Sequence, residues 1–592
     1  MTRRLHVSAV GALCVTVFLW STPAPDSPVA DAAMRGDTEL VRTLLRQGAD
    51  VNAAQGDGMT ALHWATELGV VEMADLLIFG GAGLEAVTRN GGYTPLHLAS
   101  RTGNAAVVQS LLRAGSDVDA RTTTSGSTPL HLAAASGTAD AVHALLDHGA
   151  RVDATESEWG QTPLVFAASK GRLSVVELLL AKGADPSITA RVLDIPLRSA
   201  VDRAAGEARD RVLEAFRTQA SGQSGVWRPN PNQVQAAVRA GQSVQSSVLV
   251  VEEEEEEVDP LSEEFPGYTG LVGTQGGLTA LLHSVREGHV EVAFALLEAG
   301  ADIDQVSAGD HTSPMLMATI NGHFDLALLL LERGADPSLA SDAGAMPLFS
   351  ALNTHWAPKA RYPQQQAYQQ QQATYLDVMT AVLAAGVDPD VRLKKHLWYM
   401  SYTFDLLRVN LAGGTAFWRA AYATDIDAMR LLVSYGADPD IPTVKPPERR
   451  RRGQSAEDLS GLPPAPVGGP GAWPIHAASG IGYGEGYAGN SHRHVPDGWV
   501  PTVRVLIEEL GADVNARDHN GYSALHHAAA RGDNELIRYL VGQGADVTLV
   551  SRKGQTTVDM ANGPVQRIQP FPETIALLEG LGAKNNHNCV SC

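Results

Sequence analysis

Gly92-Tyr93-Thr94-Pro95-Leu96-His97-Leu98-Ala99-Ser100-Arg101-Thr102-Gly103 is followed by Val107-Val108-Gln109-Ser110-Leu111-Leu112-Arg113-Ala114-Gly115-Ser116-Asp117, and this stretch decides the fold. Gly92-Tyr93 closes a hairpin tip. Thr94 starts a first helix, with Pro95 where no amide donor is needed. Leu96, Leu98 and Ala99 fill its inner face, and Gly103 ends it in a left-handed cap. Val107, Val108, Leu111 and Leu112 then make the apolar stripe of a second helix, spaced i, i+1, i+4, i+5. Gly115 ends that helix, and the small residue after it lets the chain turn back toward the next hairpin.

The same unit recurs. Its closing Gly-Ala-Asp, or a near variant, stands at Gly48, Gly81, Gly115, Gly149 and Gly183, in steps of 33, 34, 34 and 34 residues. It returns at Gly300, Gly334, Gly386, Gly436, Gly511 and Gly544. The opening signature precedes it at Thr60-Ala61-Leu62-His63, Thr94-Pro95-Leu96-His97, Thr128-Pro129-Leu130-His131 and Ser523-Ala524-Leu525-His526. Two linked signatures at one period predict a stacked array, in which each unit buries its apolar face only against its neighbours. A chain of 592 residues, too long for one compact core, is accommodated in this way.

Gly-x-Thr-Pro-Leu-His-x-Ala-Ala-x-x-Gly followed by Val-x-x-Leu-Leu-x-x-Gly-Ala-Asp resembles the ankyrin repeat. The resemblance covers most of 30–189, 277–340 and 511–584. It is weaker over 345–440, where Met346-Pro347-Leu348-Phe349 and Thr415-Ala416-Phe417-Trp418 replace the opening signature. It implies an all-α-dominated repeat solenoid of β-hairpin/helix-turn-helix units. It also implies that the histidine of the signature (His63, His97, His131, His476, His526) is structural, bonding the backbone of adjacent loops. One such ring per repeat is too sparse for a shared metal ion, and no metal site is expected.

Interruptions divide the chain. The reading assigns 1–26 to a signal peptide and 27–225 to a first array with a degenerate end. An acidic, Pro-containing linker spans 226–276 and holds the run Glu252–Glu257. A second array covers 277–444 with a Gln-rich insertion at Gln364–Gln372. A further linker at 445–472, the C-terminal repeats at 473–584 and a Cys-x-x-Cys tail at 585–592 complete the chain. The Gly-, Tyr- and His-rich stretch from Gly480 to Trp499, with His492-Arg493-His494, reads as a solvated loop.

The net charge of −21 argues against nucleic acid or an anionic membrane as partner. Arg3 and Arg4 before an apolar run, with small and Pro-rich residues from Ser21 to Ala30, predict export. That places the protein in the periplasm or outside the cell, an uncleaved anchor being the alternative. Of the three cysteines, Cys14 lies in the apolar run and Cys589 and Cys592 close the chain, so the body carries no disulfide framework. Cys-x-x-Cys before His attaches haem c. Here the chain stops at Cys592, so haem c is a cofactor only if the gene continues with His. A local disulfide or a soft-metal tail are the other readings.

No phosphate loop, nucleophile elbow or paired catalytic carboxylates occur, and the chain is not expected to be an enzyme. The expected function is a protein–protein interaction scaffold of the bacterial cell envelope, monomeric, with a protein partner on the concave face. A c-type haem electron carrier and the N-terminal part of a larger enzyme are the competing classes. The residues expected to meet the partner are those the repeat pattern leaves free: Met59, Glu67, Tyr93, Arg101, Trp159, Gln161, Lys170, Leu278, Arg286, Tyr522 and Arg531.

Overall fold

The computed structural model describes residues 27–219, 227–248, 267–357, 367–397, 407, 409–447, 458–484, 489–563 and 569–589. The chain falls into two compact units, Met1–Glu158 and Trp159–Cys592. Within each, the element order is a short helix, a tight turn, a second helix and a looped return, repeated. The result is an all-α-dominated repeat solenoid.

Sequence dictates each element locally. In Pro95–Thr102 the Thr94 hydroxyl caps the amide of His97, while His97 Nδ1 accepts the amide of Thr94 at 3.2 Å. That reciprocal arrangement is the capping box, with an imidazole in place of the usual carboxylate. It recurs at Thr60/His63, Thr128/His131 and Ser523/His526. Gly103 ends the helix at φ 71°, a conformation that costs an L-residue about 1–2 kcal/mol. Leu62, Leu96 and Leu130 in the first unit, and Leu164, Leu281 and Leu316 in the second, are at most 1% exposed. Each contributes about 1.5–3 kcal/mol by leaving water.

Neighbouring hairpins are stitched by single main-chain bonds. In the first unit the amides of Arg89, Thr123 and Ser157 donate to the carbonyls of Asp57, Gly91 and Ser125. In the second, Arg191 bonds Trp159, Gly277 bonds Arg191, and Ala308 bonds Gly277. The series continues through Asp342–Asp310, Lys394–Ala343, Val444–Ala412, His519–Gly471 and Arg552–Asn520.

This stitching corrects the expected linkers. The Gly277–Arg191 bond joins repeats on either side of 226–276, and helix Pro163–Ser169 packs directly on Ala280–Glu287. The stack is therefore not parted there. The intervening chain leaves through a two-stranded antiparallel ribbon, Val192–Asp194 with Thr274–Gly276, and folds into a helical hairpin of Ile195–Gln219 against Pro231–Val248. Looping out an insertion at a hairpin tip leaves the repeat interface intact. Glu252–Glu257 lies outside the described residues.

The described part of 445–472 is likewise no free linker. Val444 pairs with Pro470, Lys445 Nζ donates to the Ala465 carbonyl at 2.9 Å, and Leu459 donates its amide to Arg552. Asp458 forms an ion pair with Arg552. The segment is a strap tied to the hairpins of the last repeats. Residues 1–26, and with them the expected signal and Cys14, lie outside the described residues.

Candidate protein-binding surface

The inner face of the stack is made by the first helices of the repeats. Two registers matter, four and seven residues after the capping residue. Seven residues on stand Glu67, Arg101 and Ala135 in the first unit, and Ser169, Arg286 and Ile320 in the second. All six are open or partly open to solvent. The later repeats of the second unit place Asn353, Tyr422, Gly480 and Ala530 there, and all four are buried. The fourth position repeats the contrast in part. Trp64, Leu132, Phe166 and Met317 are half-buried apolar residues, but Leu98 and His283 of the same early repeats are buried, and in the later repeats Ser350, Arg419 and His527 are polar and at most 1% exposed.

The open part of the first unit is a connected patch. Arg101 bridges to Glu67 at 2.7 Å, with side chains 47% and 33% exposed, and its guanidinium lies 5.5 Å from the Tyr93 ring centre. Tyr93 is half-buried, edge-on to His97 at 6.1 Å. Trp64 donates its Nε1–H to Gln55 at 2.8 Å, and Gln55 donates to Asp31 at 2.6 Å. Met59 is half-buried, and Met34 and Leu68 are exposed. Aromatic and Arg side chains on a rigid frame, flanked by polar groups, are the residue types that dominate interface energies.

In the second unit, Trp159 is 44% exposed, Lys170 is exposed, and Gln161, Leu278 and Arg286 are half-exposed. Two of the expected contact residues are not on the surface. Tyr522 is 1% exposed, its hydroxyl donating to Gln555 at 2.6 Å. The Arg531 side chain is 7% exposed, with its guanidinium 3.5 Å from the Trp499 ring centre and paired with Asp533. Both are free positions of the repeat pattern that other parts of this chain have covered.

Tyr522 is covered by Gln555 of the next repeat, and Arg531 by an insertion. His492 stacks on Tyr422 at 4.2 Å, and Arg493 donates to the Tyr368 hydroxyl at 2.8 Å. Hence 489–499 is packed, contrary to its reading as a solvated loop. Beneath lies a polar core that the repeat pattern did not reveal. Arg419, 0% exposed, donates to Asn353 Oδ1 at 2.8 Å and to the Trp356 carbonyl at 2.6 Å. Asp425 accepts from Trp356 Nε1 at 2.8 Å and from the Tyr375 hydroxyl at 2.6 Å. Burial, then the Asp425 carboxylate, push the Tyr375 phenol well above its ordinary value. Burial and the Arg493 charge hold His355, stacked on Tyr375 at 4.2 Å, down to about 4. An aromatic- and His-rich insertion opposite polar inner positions was the signal in the sequence.

The signature histidines sit as rungs between repeats. Nε2 of His63, His97 and His476 lies 3.0, 3.1 and 2.9 Å from the carbonyls of Tyr93, Ser127 and Ala516. His131 and His526 keep the capping contact to Thr128 and Ser523. Burial lowers His63 and His97, takes His476 to about 4 and takes His526 to about 3, so these rings are neutral. His283, at the fourth position, was missed. It is 5% exposed, neither ring nitrogen has a hydrogen-bond partner among the described residues, and burial takes it to about 4.

Among the described residues no three His, Cys, Asp or Glu gather as a metal site, and no helix is long and apolar enough to cross a membrane. Cys589 is disulfide-bonded. Cys592 lies outside the described residues.

Comparison with known proteins agrees with this architecture. The family description "Ankyrin repeats (3 copies)" matches residues 29–122, 115–190 and 248–341, and "Ankyrin repeats (many copies)" matches 491–541. The chain belongs to the ankyrin-repeat family. Among curated relatives, ankyrin repeat and SAM domain-containing protein 6 of Rattus norvegicus is 42% identical over 64 residues, which is 11% of this chain and 7% of that protein. The potassium channel AKT1 of Oryza sativa subsp. indica is 45% identical over 60 residues, 10% of this chain and 6% of the channel. Protein phosphatase 1 regulatory subunit 12A of Mus musculus is 37% identical over 71 residues, 12% of this chain and 7% of the subunit. The match thus spans less than a tenth of these relatives' own lengths.

Proposed function

We propose that the chain is a protein-interaction scaffold without catalysis of its own, engaging partners through the open inner-face positions that each unit carries by itself, in the second unit up to Ile320. The observation that carries this reading is the run of open seventh positions, Glu67 and Arg101 in the first unit and Ser169 and Arg286 in the second, against buried ones beyond. Tyr93, Arg101 and Trp159 are the anchors, because they bury large area with few torsions to freeze. The positive and apolar segments at 1–26 support export, and with it a partner in the cell envelope.

The test is affinity capture from an extract of the native host. The double substitution Tyr93→Ala with Trp159→Ala should reduce what the wild-type chain retains at least tenfold while leaving its helical melt nearly unchanged. Undiminished capture by the folded double variant would refute this surface. Mass analysis of the mature chain tests export, which predicts a start between residues 22 and 31.

A further inference from the structure

We propose that residues 489–499 form an intramolecular lid on the inner face of the last repeats, docked at neutral pH and released by acid through protonation of His492 and His494. The lid is held by specific contacts. Val495 donates its amide to the Ala423 carbonyl at 2.9 Å, and Trp499 lies against the Arg531 guanidinium. The Thr424 hydroxyl donates to the Val495 carbonyl at 3.3 Å.

Thr424 is itself informative. It occupies the helix-ending position filled by Gly69, Gly103 and Gly137 elsewhere, and it takes the same left-handed conformation at φ 52°. A β-branched residue there is strained. Here the strained residue supplies the hydroxyl that ties down the lid.

The imidazoles sit where a charge is unwelcome. His492 is 8% exposed, stacked between Tyr422 at 4.2 Å and the His494 and Trp499 rings at 5.2 and 5.7 Å. From the inner helices it faces Arg419 and Tyr422 on Ala416–Tyr422, and Arg531, already paired with Asp533, on Ala524–Arg531. From the inserted segment it meets Tyr483, whose hydroxyl is 3.4 Å from Nδ1, and His494. Asp497 is the carboxylate that acts on His494, opposed by Arg531. Among the described residues no carboxylate forms an ion pair with His492. The Tyr422 main chain favours the charged ring, but burial, His494 and the two guanidinium groups outweigh it and hold His492 well below its ordinary value. Burial lowers His494 as well.

The sign follows. Each ring binds protons more readily in the open segment than in the docked one. Docking is therefore at full strength above the ordinary histidine value and weakens as pH falls below it. Release would uncover the Tyr422 ring and the Arg531–Asp533 pair.

Hydrogen exchange of the full chain, corrected for intrinsic rates, reads the lid directly. Between pH 7.5 and 5.0 the protection of the Val495 amide should fall about thirtyfold through His492 alone, the factor for one imidazole with an open-state value near 6.5, and further through His494. Amides of Asn534–Gly542 should keep theirs. His492→Phe, which preserves the stack and leaves only His494 to titrate, should lose markedly less protection than the wild type at pH 5.0. Thr424→Gly should lower it equally at both pH values. Constant protection in the wild type, or the same loss in His492→Phe, overturns the proposal. The wild-type profile decides even if His492→Phe does not fold. No partner is needed, so this test and the capture experiment fail independently.

Discussion

Arg101 and Arg419 both project from the inner helix of a repeat, and they have opposite fates. Arg101 is half exposed and pairs with Glu67 across the neighbouring repeat. Arg419 is sealed, bonded to Asn353 and to the Trp356 carbonyl. The scaffold beneath them is the same: a capped first helix, a second helix and a stitched hairpin. The difference comes from what was inserted. In the repeats up to Ile320 the hairpins leave the inner face open. Beyond it, the segments around Tyr368 and 489–499 fold back and bury that face. One repeat thus takes two forms, an open inner face and a core completed by its own insertions.

The contrast can be broken by substitution. Arg419→Ala should cost about 3 kcal/mol or more in denaturant unfolding, because it opens a cavity and strands the Asn353 amide and the Trp356 carbonyl. A loss below about 1 kcal/mol would mean that the later inner face is not a core.

Acid sharpens the comparison. His476 and His526 are buried neutral rings held at about 4 and about 3. Their folded values lie below the unfolded one, so their contribution is complete above about pH 6.5 and is lost as pH falls from there toward 4. The loss should approach about 3 kcal/mol for His476 alone. Asp518 does not offset this. Burial alone would raise it, but the His527 ring, 3.4 Å away, outweighs burial and holds it well below the usual range. Chemical unfolding followed at pH 7.5, 6, 5 and 4 checks the trend, and a flat profile would contradict it.

A smaller effect is expected at the helix ends. Gly103→Ala should cost about 1–2 kcal/mol for a left-handed Ala, with further strain because its Cβ would run into the Thr138 hydroxyl. The smallest belongs to the open face. Arg101→Ala should change stability by less than about 1 kcal/mol, as exposed ion pairs do, while weakening partner capture. A large loss of stability there would merge the two classes of inner position.

Much of the repeat was legible. The Thr-Pro-Leu-His signature states its own capping box, and the glycine at Gly103 states its own turn. What stayed hidden was any contact that the period does not encode. Arg493 meets Tyr368 across 125 residues, and Arg419 meets Asn353 across 66. A Gly-rich, polar insertion reads as solvated because its composition lacks a periodic apolar face. Its aromatic and imidazole rings bury by stacking, which needs no period. For the same reason Tyr522 and Arg531 looked free. Their register is that of a surface residue, and only the placement of Gln555 and Trp499 removes them from it. The ribbon at Val192–Asp194 was equally silent, because its partner strand lies beyond a helical hairpin.

Covalent oxidative footprinting of the full chain at pH 7.5, read by mass spectrometry, tests the division of the inner face most directly. The account predicts rapid modification of Trp64, Tyr93, Trp159, Phe166 and Met317, with Tyr422, Trp418 and Tyr522 reacting at least tenfold more slowly. Comparable rates in the two sets would show that the later repeats are as open as the earlier ones, and would contradict it.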